Sequence, residues 1–120
     1  MKYTEDHAWL LPEGDVIVVG ITEHGARELG DVVYVELPEL ETQVAKGDEI
    51  VVVESATDTS EILAPLDGEI VEVNAALAEN PALVNEDPMG EAWVFKIRVE
   101  DIGALDEYLT EDEYQDLVGE

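Results

Sequence analysis

The chain has 120 residues, with 5 basic against 31 acidic side chains, a formal net charge of −26 and no cysteine. That length suits one compact domain, and the 46% hydrophobic content is ordinary for a globular core despite the charge. The acidity excludes a binder of nucleic-acid phosphates or of an anionic membrane surface. The missing cysteine excludes a disulfide frame, a thiolate nucleophile and a zinc–thiolate site.

No apolar run is long enough to span a bilayer. The opening residues Met1 to Asp6 lack both a leader with an apolar core and an Arg-rich transit pattern, so a cytoplasmic protein is expected. Short β-rich runs then follow one another between turn residues. Residues 15–19 form an apolar strand after the turn Pro12-Glu13-Gly14. Thr22 caps a short helix running through Glu28-Leu29, with Gly30 as its left-handed stop, and Gly25 inside it costs roughly 1 kcal/mol against alanine. Strands are expected at 32–37, stopped by Pro38, at 49–54 after Lys46-Gly47-Asp48, at 61–64 and at 69–73. In 92–99, Trp93, Phe95, Ile97 and Val99 fall on one side and Lys96 and Arg98 on the other. Residues 104–109 read as a turn or two of helix. Thr110-Glu111-Asp112-Glu113 is a capping box that starts a second helix, whose apolar stripe is Tyr114, Leu117 and Val118. Strands this short at this spacing indicate a small sandwich or flattened barrel.

The motif Gly47-Asp48-Glu49-Ile50-Val51-Val52-Val53 is echoed by Asp67-Gly68-Glu69-Ile70-Val71-Glu72-Val73, which suggests a quasi-symmetric pair of sheets. Between the two units lies a polar stretch, Glu54-Ser55-Ala56-Thr57-Asp58-Thr59-Ser60-Glu61, expected to be an exposed hairpin tip. The acids are spread along the whole chain, which reads as a solvated coat, with a basic docking partner as the alternative. Adaptation to high salt and redesign toward negative charge both fit such a coat.

The stretches THAT carry most information are Tyr3-Thr4-Glu5-Asp6-His7-Ala8-Trp9, VGITEHGARELGDVVYVELPE at 19–39, VVVES at 51–55, ILAPLDGEIVEVNAAL at 62–77 and NPALVNEDPMGEAWVFKI at 80–97. In that order and spacing, over residues 3 to 118, the chain resembles the H protein of the glycine cleavage system. The resemblance implies a mainly β (α+β) fold: a flattened barrel-sandwich hybrid of the lipoyl/biotinyl type, with short helices and a C-terminal helix. It implies one unit over residues 1–120, with the hairpin tip at about 54–61 and the C-terminal helical segment at about 104–118. The family's protein is a carrier, not an enzyme. A lipoyl group on one tip lysine collects an aminomethyl unit from the pyridoxal-phosphate decarboxylase (P protein) and presents it to the tetrahydrofolate-dependent aminomethyltransferase (T protein). The dihydrolipoyl dehydrogenase (L protein) then reoxidises the arm.

The resemblance puts the carrier lysine three residues after Glu54, where this chain has Thr57; the family usually reads Glu-Ser-Val-Lys-Ala, against Glu54-Ser55-Ala56-Thr57-Asp58 here. Threonine offers a hydroxyl on a stiff, branched Cβ in place of an amine on a long stem. Attack would need an adjacent base and would give an ester. The family's His-Glu-Trp motif, whose glutamate helps hold the loaded arm in a cleft, reads His7-Ala8-Trp9 here; ordinary surface variation at Ala8 is the alternative. Glu61 stands where the family often has aspartate near the arm. No bound lipoate, no metal and a monomer are expected, with the P, T and L proteins as the candidate partners.

Lys46, Lys96 and Lys2 lack the tip context and read as surface charges. His24 reads as a surface or cap-adjacent residue and His7 as packed or hydrogen-bonded; neither lies in a local metal-binding spacing. Glu86-Asp87 and 111–113 read as solvated charge runs rather than calcium ligands. Glu54 and Glu61 carry no weight as a glycosidase pair, since close carboxylates follow from their number. Trp9, Trp93, Tyr34 and Phe95 read as core or core-edge aromatics. Three readings follow: an H-protein scaffold without its acceptor lysine, either degenerate or engineered; a module that docks on the glycine cleavage enzymes without lipoate; and a carrier using another site. The low lysine count, acid coat and altered tip together lean toward engineering.

Overall fold

The computed structural model describes residues 2–4, 7–88 and 90–118. In chain order the elements are β1 (Lys2–Tyr3), β2 (Ala8–Glu13), β3 (Val16–Ile21), α1 (Glu23–Leu29), β4 (Val32–Glu36), β5 (Gln43–Val44), β6 (Glu49–Ser55) and β7 (Thr59–Leu63). They continue with β8 (Gly68–Val73), α2 (Ala75–Glu79), α3 (Leu83–Glu86), β9 (Phe95–Val99), a 3-10 segment (Ile102–Glu107) and α4 (Glu111–Val118). The strands form a six-stranded sheet, β1-β2-β3-β9-β8-β5, and a three-stranded sheet, β4-β6-β7. Every pairing is antiparallel. The two sheets do not close into a barrel, and the extents of 36 × 34 × 21 Å give the flattened shape. The repeated turn-strand units become β6 and β8, one in each sheet.

The core lies between the sheets. Leu10, Ile17, Val19, Ile70, Phe95 and Ile97 from the larger sheet meet Val35, Val51, Val53 and Ile62 from the smaller one. These are alternate residues of their strands, as the period of two requires. A second apolar cluster of Tyr3, Trp9, Val18 and Tyr114 covers the outer face of β2 and β3. Trp9 and Leu10 are therefore both buried although they point to opposite faces of β2. Trp93 packs against this outer cluster, not in the main core, because the chain is not yet in regular strand before Phe95. Tyr34 and Leu117 face solvent rather than the core. In β4 a register shift between Val32 and Tyr34 breaks the alternation, so that Val33 and Tyr34 both point outward.

Local signals explain the element ends. Thr22 Oγ1 accepts from Gly25 N at 3.0 Å and starts α1. Gly30 ends it with φ 79° and ψ −153°, a conformation open to glycine, though not the αL stop expected. Thr110 and Glu113 form the reciprocal capping box: Glu113 N donates to Thr110 Oγ1 and Thr110 N to Glu113 Oε1. The bond from the Thr110 backbone, and then that with its side chain, holds the Glu113 carboxyl below its usual range. The turn expected at Pro12-Glu13-Gly14 starts later. Pro12 and Glu13 still pair with Ile17 and Val16, and Gly14, at φ 68°, makes the turn. Pro12 is tolerated because β1 pairs only with Trp9 and Leu10, leaving that edge of β2 without a ladder partner.

Only five lysines and arginines offset the acid coat. Screening shortens the reach of like-charge repulsion from about 10 Å at 0.1 M salt to about 3 Å at 1 M. The melting temperature is therefore expected to climb between those salt concentrations. A flat or falling curve in a calorimetric scan would show that the coat does not strain the fold.

Candidate functional site

β6 and β7 form a hairpin with Val53 opposite Ser60 and Glu54 opposite Thr59. The turn between them is held by short-range polar contacts. Ser55 N donates to Asp58 O at 2.8 Å, Asp58 N donates to Ser55 Oγ at 2.9 Å, and Ala56 N donates to Asp31 O at 3.0 Å. Small polar residues suit this turn because their side chains replace missing ladder bonds. Thr57 stands at its apex, exposed, and the contacts that hold the turn come from Ser55, Ala56 and Asp58.

One flank of this hairpin opens on a cleft of about 620 Å³. Asp58 to Ala64 form one wall, α1 supplies Gly25, Glu28 and Leu29, and the start of the chain supplies Tyr3, Thr4, His7 and Ala8. Lys46, Glu107 and Tyr108 close the far end. The fold thus brings Ala8 and Glu61, far apart in the chain, to one cavity, with Thr57 one residue beyond its lining. Ala8 is only 6% exposed, so its methyl group belongs to the cleft and the core rather than to variable surface.

The cleft has an electrostatic pattern. A hydrogen bond from Glu49, then Coulomb repulsion from the same group, then desolvation hold the Glu61 carboxyl above its usual range. Opposite, Lys46 pairs with Glu107 and lies 5.6 Å from the centroid of the Tyr108 ring. That partnership, led by the Glu107 hydrogen bond, raises the Lys46 ammonium. Lys46 therefore is a surface charge with two specific neighbours, placed at the end of the cleft.

A group whose folded pKa is raised takes up its proton more readily when folded. Glu61 thus lowers stability above its folded pKa, and the penalty fades as pH falls toward the ordinary value of 4.5. Glu61→Gln is expected to raise the melting temperature at pH 7 and to lose that advantage near the ordinary carboxylate value. An advantage that stays constant with pH would show that Glu49 does not hold the Glu61 carboxyl above its usual range.

Sequence spacing named no metal ligands, yet the fold gathers both histidines. His24 Nε2 lies 3.1 Å from Glu28 Oε1, one helical turn along α1, and His7 Nε2 lies 3.7 Å from Glu28 Oε2. The two imidazole rings are 4.8 Å apart. His7 Nδ1 is hydrogen-bonded to the Tyr114 hydroxyl at 2.7 Å, which in turn is 2.7 Å from Thr22 Oγ1. The His24/Glu28 spacing of four was visible in the sequence; the arrival of His7 was not.

The family model for the glycine cleavage H-protein matches residues 1–120. The chain belongs to the glycine cleavage H-protein family. It is 53% identical over 116 residues to the glycine cleavage system H protein of Thermus thermophilus, covering 97% of this chain and 91% of that one. It is likewise 53% identical over 118 residues to that of Dinoroseobacter shibae, covering 98% and 96%. The crystal structure of a glycine cleavage system H protein from Mycobacterium marinum superposes with a TM-score of 0.89 at 38% identity, covering 99% of this chain and 96% of that one. H proteins of this family are lipoyl carriers rather than enzymes. Among the described residues, no helix is long and apolar enough to cross a membrane.

Proposed function

We propose that this chain keeps the H-protein scaffold and its arm cleft but takes no lipoyl group at the hairpin tip, and so does not carry aminomethyl units between the P, T and L proteins. The observation that carries this reading is Thr57 at the exposed apex of the β6–β7 turn, beside the cleft that Ala8 and Glu61 line. Lipoyl transfer to a carrier needs an amine that reaches clear of the backbone. Threonine has none, and its hydroxyl sits on Cβ next to the main chain. At Ala8 a methyl group replaces the carboxylate that would face a protonated aminomethyl group, which leaves Glu61, with its raised pKa, and Asp58 as the acids on the hairpin wall.

The test is the intact mass of the purified chain after incubation with lipoate, ATP and a lipoate ligase. An unchanged mass is expected. The gain of one lipoyl unit would overturn the proposal, and peptide mapping would then show whether Lys2, Lys46 or Lys96 had taken it.

A second reading, docking without a cargo, is favoured by Val33 and Tyr34. They are 58% and 49% exposed on β4, whose partner β6 leads into the tip. Two large apolar side chains in water beside the tip suit a contact surface. In a reconstituted glycine cleavage assay, the chain in excess should then inhibit a lipoylated H protein, and Val33→Ser should weaken that inhibition. Absence of competition removes the docking reading and leaves the first untouched.

A further inference from the structure

We propose that His7, His24 and Glu28 form a binding site for a divalent transition-metal ion, zinc(II) in the first instance, at the edge of the cleft. Each of the three side chains offers one ligand atom, and these atoms all lie within 4.8 Å of one another. Zinc bonds of 2.0–2.1 Å in tetrahedral geometry put ligand atoms roughly 3.3 Å apart. Each histidine already faces its own oxygen of Glu28, His24 Nε2 at 3.1 Å from Oε1 and His7 Nε2 at 3.7 Å from Oε2. Glu28 is 61% exposed, so its side chain can turn to offer the ion one oxygen, and rotation of the His24 ring on α1 closes the remaining separation of the imidazoles.

The surroundings of His7 favour a ligand. For Nε2 to present its lone pair, Nδ1 must carry the proton and donate it. The Tyr114 hydroxyl at 2.7 Å is positioned to accept, and it can pass its own hydrogen to Thr22 Oγ1 at 2.7 Å. Tyr114 and Thr22 are buried, so this chain of bonds fixes the ring and its tautomer from behind, as outer partners of metal-bound imidazoles do. His7 sits in the left-handed region at φ 66° and approaches α1 at Gly25, where a Cβ would lie 2.8 Å from His7 Cβ, so only a glycine there lets the two segments come this close.

Donor chemistry selects the ion. Two imidazoles and a carboxylate suit zinc and its neighbours, whereas calcium and magnesium take all-oxygen sets. Three protein ligands leave a position for water, and because His7 and Glu28 line the cleft, that position is beside it. The alternative is a helical His–Glu pair next to a structural histidine, with no ion between them. The site is independent of whether the hairpin tip carries a lipoyl arm.

The experiment is zinc titration of the intact chain, read by calorimetry in high salt to suppress binding to the acid coat, and by 15N-detected correlations of the two imidazoles. The expected result is one zinc per chain, with both histidine side chains shifting together at stoichiometric metal. His24→Gln should bind at least tenfold more weakly, and Glu79→Gln, which removes a remote acid from α2, should bind as the unsubstituted chain does. Imidazole signals that stay in place at one equivalent of zinc, or His24→Gln binding undiminished, would overturn the proposal. The imidazole readout uses the unsubstituted chain and decides the question even if a variant folds poorly.

Discussion

Thr57→Lys is expected to gain one lipoyl unit on incubation with lipoate, ATP and a lipoate ligase, where the unsubstituted chain gains none. The turn that presents residue 57 is held by Ser55, Asp58 and the Ala56–Asp31 backbone bond. A lysine at 57 therefore requires no rearrangement. The position is exposed, so the substitution should leave stability within about 0.5 kcal/mol. What changes is chemical: a primary amine now stands several bonds clear of the backbone, and an amide can form. Asp58 beside it favours the ammonium form of the lysine, which lowers the share of free amine and slows the ligase without blocking it. The effect is all-or-none in the mass spectrum. Failure of Thr57→Lys to accept lipoate, with the fold intact by circular dichroism, would show that this apex is not an acceptor position and would sink the functional reading.

The largest stability effect is expected at Trp9. Its indole is 3% exposed in the outer cluster, its Nε1 donates to Pro88 O at 2.9 Å, and its ring lies across Gly20 on the neighbouring strand. Trp9→Ala should cost about 3–5 kcal/mol, through lost burial and the cavity left between β2 and α4. The carbonyl of Pro88 also loses its buried donor. Gly20 makes the mechanism testable. A Cβ at Gly20 would lie 2.4 Å from the indole carbons, so Gly20→Ala alone should cost about 1–3 kcal/mol by overpacking. In the Trp9→Ala background there is no ring to strike, and the added methyl group should become neutral or stabilising. Denaturant unfolding of the two single variants and the double variant measures the coupling. Additive costs would show that the ring does not depend on a bare backbone at 20.

The sequence by itself determined what is local and periodic. Alternation set the inward face of β9, Thr22 and Thr110 started their helices, and the turn-strand repeat gave one strand to each of two sheets. Order and spacing of long matching stretches disclosed the family. Other features depended on what packs where. Leu117 obeys the helical period yet faces water, because α4 rests on the sheet through Tyr114 and Val118. Helices α2 and α3, each of five residues or fewer, are too short to show a period. Strand β2 is buried on both faces because a distant helix covers one of them, so it shows no alternation to read. The cleft and the histidine cluster were hidden for the same physical reason. Their members come from the chain start, α1, β7 and the C-terminal segment, and only the folding of antiparallel sheets and the docking of α4 bring those segments within bonding distance.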